Sequence, residues 1–305
     1  MRALVSGASG FLGRHFTAAL EDRGSYVRTL DTKVSPAQDV RSWFDWDRTL
    51  PVRKHWDLVV HCAAVVGGRA VIDGSPLETA VNLELDAAMF RWAAKAKPGR
   101  VLYISSSAAY PVDRQGPMEP GGEPLDLRMA EKEMESGITR PPDQVYGWTK
   151  VMGEVLSGKL REAGVPVTVV RPFSGYGTDQ DADYPFPAFI ARALRREDPF
   201  RLWCGDCFRD FVHVDDVVAT ALAAVDAGLD GPVNICSGVG TPFTRLAEMV
   251  CSVAGYSPEI VADPTAPAGV AVRIGDPTAM YRIRAPRVSL LDGITRAIEA
   301  GRASQ

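Results

Sequence analysis

Short apolar runs alternate with longer segments whose apolar residues recur at helical spacing. "RALVS" is apolar and partly β-branched, as a buried strand should be, and behind it Phe11, Leu12, Phe16, Ala19 and Leu20 predict a helix. "YVRTLD", "DLVVHCAA", "RVLYISSS" and "VTVVRPF" read as further strands, with helices over "PLETAVNLELDAAMFRWAAKA" and "GWTKVMGEVLSGKLREAG". This alternation predicts an α/β fold, a doubly wound parallel sheet with helices on both faces. The polar segment 113–143, which carries Pro117, Pro120, Pro124, Pro141 and Pro142, predicts a long loop with one short helix, of the kind that borders a site.

Between the first strand and first helix stands "GASGFLG", with Gly7, Gly10 and Gly13 spaced three apart. Glycine suits a sharp bend, a close ligand and tight helix packing, and all three coincide where a pyrophosphate sits on a helix N-terminus. The spacing is not G-x-G-x-x-G, and taken alone it fits a ligand-free glycine turn as well. Asp31 follows at the end of the next strand, where an acid accepts hydrogen bonds from an adenosine ribose and repels a 2′-phosphate. That favours NAD over NADP, while Arg28 and Lys33 nearby work the other way. Asp39 and Val40 would flank the adenine, although a solvated loop accounts for Asp39 equally well.

The chain has 305 residues, enough for a large α/β domain with a smaller appended one. A net charge of −4 argues against nucleic acid as a partner. The sequence enters its first strand at once, and its longest apolar run, "LVVHCAAVV", is interrupted by His61, so neither a signal peptide nor a membrane span is expected and the location reads as cytoplasmic. Five cysteines, Cys62, Cys204, Cys207, Cys236 and Cys251, fit a reducing compartment. Cys204-Gly-Asp-Cys207 has C-x-x-C spacing, but a zinc site would need two more ligands and only His213 is near, so a tight turn between strands is the better reading and no metal is expected.

Tyr146 and Lys150 are four apart and share a helix face beyond the strand that ends in Ser105, Ser106 and Ser107. A lysine ammonium close to a phenol stabilises the phenolate, which would make Tyr146 an acid/base near neutral pH. A serine hydroxyl beside it can hold the oxygen that gains or loses the proton. His61 and His213 read as strand packing, and Asp215 and Asp216 as the cap of the helix "VVATALAAV".

Together these features resemble the extended short-chain dehydrogenase/reductase family, in its NAD-dependent nucleotide-sugar epimerase/dehydratase branch. "GASGFLG" is similar to the family's cofactor loop, "HCAA" to its fourth-strand motif, "SSSAAY" to its serine motif and "YGWTK" to its Tyr-x-x-x-Lys. "RPFSGYG", "RDFVHVDDV" and "VNICSG" extend the likeness over nearly the whole chain. The resemblance implies a Rossmann-type domain in residues 1–170 plus about 210–240, and a smaller C-terminal α/β substrate domain in about 171–209 and 241–305. It implies NAD held by Gly7, Gly10, Phe11, Leu12, Gly13, Asp31, Asp39, Val40, Ala63, Ala64, Asn82, Ser105, Tyr146, Lys150 and Pro172. Tyr146 becomes the acid/base, Lys150 its partner and a nicotinamide-ribose ligand, and Ser106 the hydroxyl that polarises the sugar oxygen. Arg209 and Arg273 would grip the diphosphate of a nucleotide-diphosphate sugar, with Ser107 and Ser174 also at the substrate. The two long helices resemble the family's dimer interface, which implies a homodimer.

Departures narrow the reaction. Family dehydratases follow the serine or threonine with Asp-Glu, where this chain has Ser107 and Ala108. The reactive cysteine of GDP-sugar 3,5-epimerases and fucose synthases falls on Ala108, and their histidine near Tyr184. Ser174 replaces a common asparagine and Cys207 a common glycine. The resemblance therefore implies a 4-epimerase that passes through a transient 4-keto sugar. The alternatives are a 4-ketoreductase using the same residues once, or a 3,5-epimerase/reductase of GDP-sugars. A sensor without turnover fits less well, because such proteins usually lack the tyrosine-lysine pair.

Overall fold

The computed structural model describes residues 1–46, 55–67, 74–116, 128–134, 141–263 and 269–303. Six parallel strands form the central sheet: β1 (Arg2–Ser6), β2 (Tyr26–Leu30), β3 (Leu58–His61), β4 (Val101–Ile104), β5 (Val167–Pro172) and β9 (Gly231–Ile235), in the order β2-β1-β3-β4-β5-β9. The inner strands are mostly apolar because both faces are covered. Ala3 and Val5 of β1 face one core and Leu4 the other, and Leu102 and Val101 of β4 divide the same way. The first core is closed by helices Phe11–Asp22, Val214–Asp226 and Thr278–Ile283, the second by Val40–Trp46, Pro76–Ala96 and Gln144–Glu162.

A second unit of structure lies beyond β5. Here β10 (Gly240–Pro242), β8 (Phe208–His213) and β12 (Val272–Arg273) form a small sheet with β6 (Ser174–Tyr176) on β8, and β7 (Phe200–Leu202) pairs with β11 (Ile260–Ala262). Its own apolar cluster joins Phe186, Phe189 and Ile190 to Leu246, Val250, Ile294 and Ile298, from helices Pro185–Leu194, Phe243–Ala254 and Leu290–Ala303. No described helix is long and apolar enough to cross a membrane.

Three expectations need correction. Cys204 and Cys207 are joined in a disulfide, because the turn between β7 and β8 brings their Cα atoms to 5.6 Å, well inside bonding range. They are therefore not the free thiols expected of a wholly reduced chain; Cys62, Cys236 and Cys251 are free. The helix Val214–Asp226 is capped by His213, whose Nδ1 accepts from the Asp215 amide at 3.2 Å, not by an aspartate. Asp216 instead accepts the backbone N–H groups of Arg287 and Val288. Of the 113–143 loop, the described parts hold two short 3-10 turns, Val112–Gln115 and Glu131–Met134; Pro117, Pro120 and Pro124 lie outside the described residues.

The helix Gln144–Glu162 is anchored to the sheet by charge. Arg171 of β5 is almost wholly buried, and its guanidinium meets Glu154 at 2.9 and 2.6 Å. The same guanidinium donates to the Tyr110 hydroxyl and the Glu131 carbonyl, and Tyr110 in turn donates to Asn234 of β9. Arg171→Met should take from Glu154 the guanidinium that balances its charge and cost about 3–5 kcal/mol of stability. Urea unfolding measures this, and the double variant Arg171→Met/Glu154→Met should lose less than the single one. A loss below about 1 kcal/mol in the single variant would remove the pair from its anchoring role.

Candidate functional site

The glycine loop leaves β1 at Gly7, whose φ is +68° and whose missing Cβ would lie 2.6 Å from the Ala63 amide nitrogen after β3. A Cβ on Gly13 would overlap the Gly7 carbonyl, so the helix Phe11–Asp22 can start this close to the strand only with glycine there. Gly10 is the N-cap and brings no side chain, and the first turn holds no acid, so no side chain of the helix itself offsets its positive end. Asp31 stands beside it, accepting from the amides of Ser9 and Lys33 at 2.8 Å each. Phe11 and Leu12 are partly buried at the helix start. These features fit a dinucleotide pyrophosphate, with a carboxylate beside it at the ribose end.

Of the remaining residues expected at the cofactor, Ala63, Ala64, Ser105 and Pro172 end or follow strands, Asn82 lies in helix Pro76–Ala96, and Asp39 and Val40 stand at the start of helix Val40–Trp46. Asn82 is fully buried and clamps the segment after β3, accepting from the Val65 amide at 2.6 Å and donating to its carbonyl at 2.9 Å. Ala63 and Ala64 lie in that segment, partly exposed. Ser105 gives its hydroxyl to Glu154, and Val40 packs into the core with Phe44, so their side chains are committed elsewhere. Asp39 pairs with Arg41 at 2.7 Å, which holds its carboxyl below the ordinary value. Pro172 ends β5.

Tyr146 and Ser106 are brought together by a close approach of helix to turn. Ser106 caps the short 3-10 turn Ser107–Ala109, and the Asp143 amide donates to the Ala108 carbonyl at 3.0 Å. Gly147 permits this, since a Cβ there would be 2.5 Å from that carbonyl. The result sets the Ser106 hydroxyl close enough to the Tyr146 phenol to favour its ionised form. Lys150 is buried one turn on, donates to the Ile104 carbonyl at 3.0 Å, and lies 5.8 Å from the centre of the Tyr146 ring.

Burial changes the expected electrostatics. The Tyr146 phenol is pushed up to about 12 by desolvation, against the opposing effects of the Ser106 hydroxyl and the Arg273 charge. Desolvation also lowers Lys150, with Asp86, Cys62 and Glu154 working to keep it charged. The expected lowering of the phenol by the lysine is therefore not what the ligand-free chain shows, because desolvation outweighs every neighbouring positive charge.

Arg209 and Arg273 are register partners on the parallel strands β8 and β12. Their side chains diverge. Arg209 donates to the carbonyls of Phe208 and Val270 and stacks over Phe243 at 5.3 Å. Arg273 donates to Gln115 at 2.6 Å and to Asp143, just before the Tyr146 helix, at 2.7 Å. Ser107 is buried in the 3-10 turn, and Ser174 starts β6 opposite Phe211 of β8. Gln115, Asp143 and Glu154 were missed in the sequence; only Glu154 left a signal, four residues beyond Lys150 on one helix face.

Residues 3–236 match the model of the NAD dependent epimerase/dehydratase family. The dTDP-4-dehydro-6-deoxy-D-allose reductase of Streptomyces bikiniensis is 28% identical over 92% of this chain and 89% of its own length. The GDP-L-fucose synthase of Escherichia coli K12 is 23% identical, over 92% and 90%. Among solved structures, the UDP-glucose 4-epimerase of Thermus thermophilus in complex with NAD superimposes over 100% of both chains, with a TM-score of 0.82 at 23% identity. The UDP-glucose 4-epimerase of Thermotoga maritima with UDP-glucose gives 0.82 at 25% identity, over 100% and 99%.

Loss of the Ser106 hydroxyl should raise the Tyr146 phenol further, because that hydroxyl favours the ionised form. In Ser106→Ala the rising limb of the pH–rate profile should move to higher pH by about one unit. An unmoved limb would separate Ser106 from the ionisation of Tyr146.

Proposed function

Because this chain belongs to the NAD dependent epimerase/dehydratase family, we propose that it is a nucleoside-diphosphate-sugar 4-epimerase working through a transient 4-keto sugar. The observation that carries this reading is the packing of Tyr146, with the buried Lys150 one turn away, against the turn capped by Ser106, a turn that continues as Ser107 and Ala108. Chemistry at a carbinol carbon needs one acid/base and one hydroxyl to hold the oxygen. Elimination or carbon-acid chemistry would need further acids or a thiol, and the turn offers neither.

NAD, when bound, supplies the acceptor and donor of hydride. Gly7, Gly10, Phe11, Leu12 and Gly13 would hold its pyrophosphate at the helix start, and Asp31 its adenosine ribose. Asp39 and the Val40 backbone would border the adenine. Ala63, Ala64, Asn82, the Ser105 backbone and Pro172 would shape the nicotinamide end, with Lys150 at that ribose. Tyr146 takes the proton from the sugar 4-hydroxyl while Ser106 holds the oxygen, and returns it when the ketone is reduced on its other face. Arg209 and Arg273 grip the diphosphate; Arg273 also brings positive charge to the Tyr146 site, which lowers the cost of ionising the phenol. Ser107 and Ser174 border the sugar.

A 4-ketoreductase is the second reading, favoured by the identity to the Streptomyces reductase. It uses the same groups, with Tyr146 delivering one proton per turnover. For assembly, Trp148, Met152 and Val155 leave an exposed apolar stripe on helix Gln144–Glu162, and Leu83 is exposed on Pro76–Ala96, the helix packed against it. Their spacing puts them on one face, and a homodimer would bury it.

Tyr146→Phe should lower turnover by at least about a hundredfold while leaving cofactor affinity nearly unchanged. In D₂O the product should carry no carbon-bound deuterium, since the hydrogen leaving C4 never meets water. Deuterium at C3 or C5, read by NMR, would contradict the 4-epimerase in favour of carbon-acid chemistry.

A further inference from the structure

Beneath Lys150 lies a group of buried polar side chains to which the chemistry above assigns no part. Ser6, His61 and Tyr103 come from β1, β3 and β4, and Asp86 descends on them from helix Pro76–Ala96. Ser6 Oγ and His61 Nδ1 are 2.7 Å apart, and His61 Nε2 lies 3.1 Å from Asp86 Oδ1. The Tyr103 hydroxyl donates to Asp86 Oδ2 at 2.6 Å. Asp86 is 2% exposed, a place where a carboxylate is costly unless it serves a neighbouring charge. That charge is close: the Lys150 ammonium lies 5.3 Å from the centre of the Tyr103 ring, within cation–π range. Gly153 makes the arrangement possible, since a Cβ there would overlap the Tyr103 hydroxyl and lie 2.8 Å from Asp86 Oδ2.

We infer that Asp86 is a positioning residue for the Tyr146–Lys150 pair: it fixes Tyr103 by its hydroxyl, and so seats the Lys150 ammonium on the ring and supplies its counter-charge. The inference rests on the assignment of Tyr146 as acid/base. The groups that face Lys150 are Tyr146 and Glu154 from its own helix, Tyr103 from β4, Cys62 after β3 and Asp86 from Pro76–Ala96. Tyr146 also meets Ser106 and Arg273. Desolvation disfavours the ammonium and the Asp86 charge opposes it first among the neighbours, while the same charge helps hold the Tyr146 phenol protonated. Neutralising Asp86 therefore lowers both groups together, a joint movement that a merely structural residue would not cause.

Asp86→Asn keeps the size of the side chain and an acceptor for Tyr103. Its pH–kcat profile should shift as a whole to lower pH by roughly one unit, a tenfold change in each acid dissociation constant. The companion readout needs no turnover: Tyr146→3-fluorotyrosine, whose phenol is intrinsically more acidic, is titrated by fluorine NMR in the ligand-free chain. Its midpoint should be lower with Asp86→Asn than with Asp86, and equal midpoints would overturn the inference. Should Asp86→Asn fail to fold, Tyr103→Phe keeps the ring and the carboxylate and removes only their link. It should lower kcat at least about threefold without changing KM, and a wild-type kcat would overturn the inference. An active Tyr146→Phe enzyme would instead reject the assignment of the acid/base, while the fluorine titration would still judge Asp86.

Discussion

The structure depends on how charge is accommodated at the carboxyl end of a sheet buried on both faces. On the face under helices Pro76–Ala96 and Gln144–Glu162, the inner strands present leucine and valine until their last residues, where Ser6, His61, Tyr103 and Arg171 replace them. None can reach water, so the helices must bring partners. Asp86 meets His61 and Tyr103, and Glu154 meets Arg171. A buried ion pair of this kind adds little over an apolar pair, but it penalises every other register of helix on strand, because a slipped helix would strand a charge. The position of Tyr146 is thereby fixed from below, by residues that never touch substrate.

The same burial governs reactivity. A phenol pushed up to about 12 is a poor base at neutral pH, and the desolvated Lys150 beside it is pulled the other way. Ser106 and Arg273 offset part of the cost of ionising Tyr146, while Asp86 and Glu154 help keep Lys150 charged and Asp86 opposes the phenolate. Arg273 links this balance to the second unit of structure. Its strand pairs with that of Arg209, yet its guanidinium is held by Asp143 at the foot of the Tyr146 helix. An anionic substrate that drew on Arg273 would act on the start of that helix as well.

Much of this was legible in the amino-acid sequence. The helix over "PLETAVNLELDAAMFRWAAKA" coincides with Pro76–Ala96, and the strands fall where short apolar runs lie between turn residues, because local periodicity reports which faces are buried. The glycine loop and the Tyr-x-x-x-Lys pair are local as well. What was not legible depends on contacts across the chain. Nothing local to Arg171 or Asp86 shows that Glu154 stands opposite the one and Tyr103 against the other. The bond between Cys204 and Cys207 depends on how far the turn folds back, and the capping role of His213 on where β8 ends, neither of which spacing reveals.

The central claim is that these groups serve oxidation and reduction at one carbinol carbon with the cofactor regenerated in each cycle. The most direct measurement is to incubate purified protein, carrying substoichiometric NAD and no added reductant, with UDP-, GDP- and dTDP-hexoses and to follow the sugars by NMR. The account predicts that one of them is converted to a mixture with its 4-epimer, in many turnovers per NAD. Conversion only of a 4-keto sugar, with one NAD(P)H consumed per product and every 4-hydroxy sugar untouched, would contradict it.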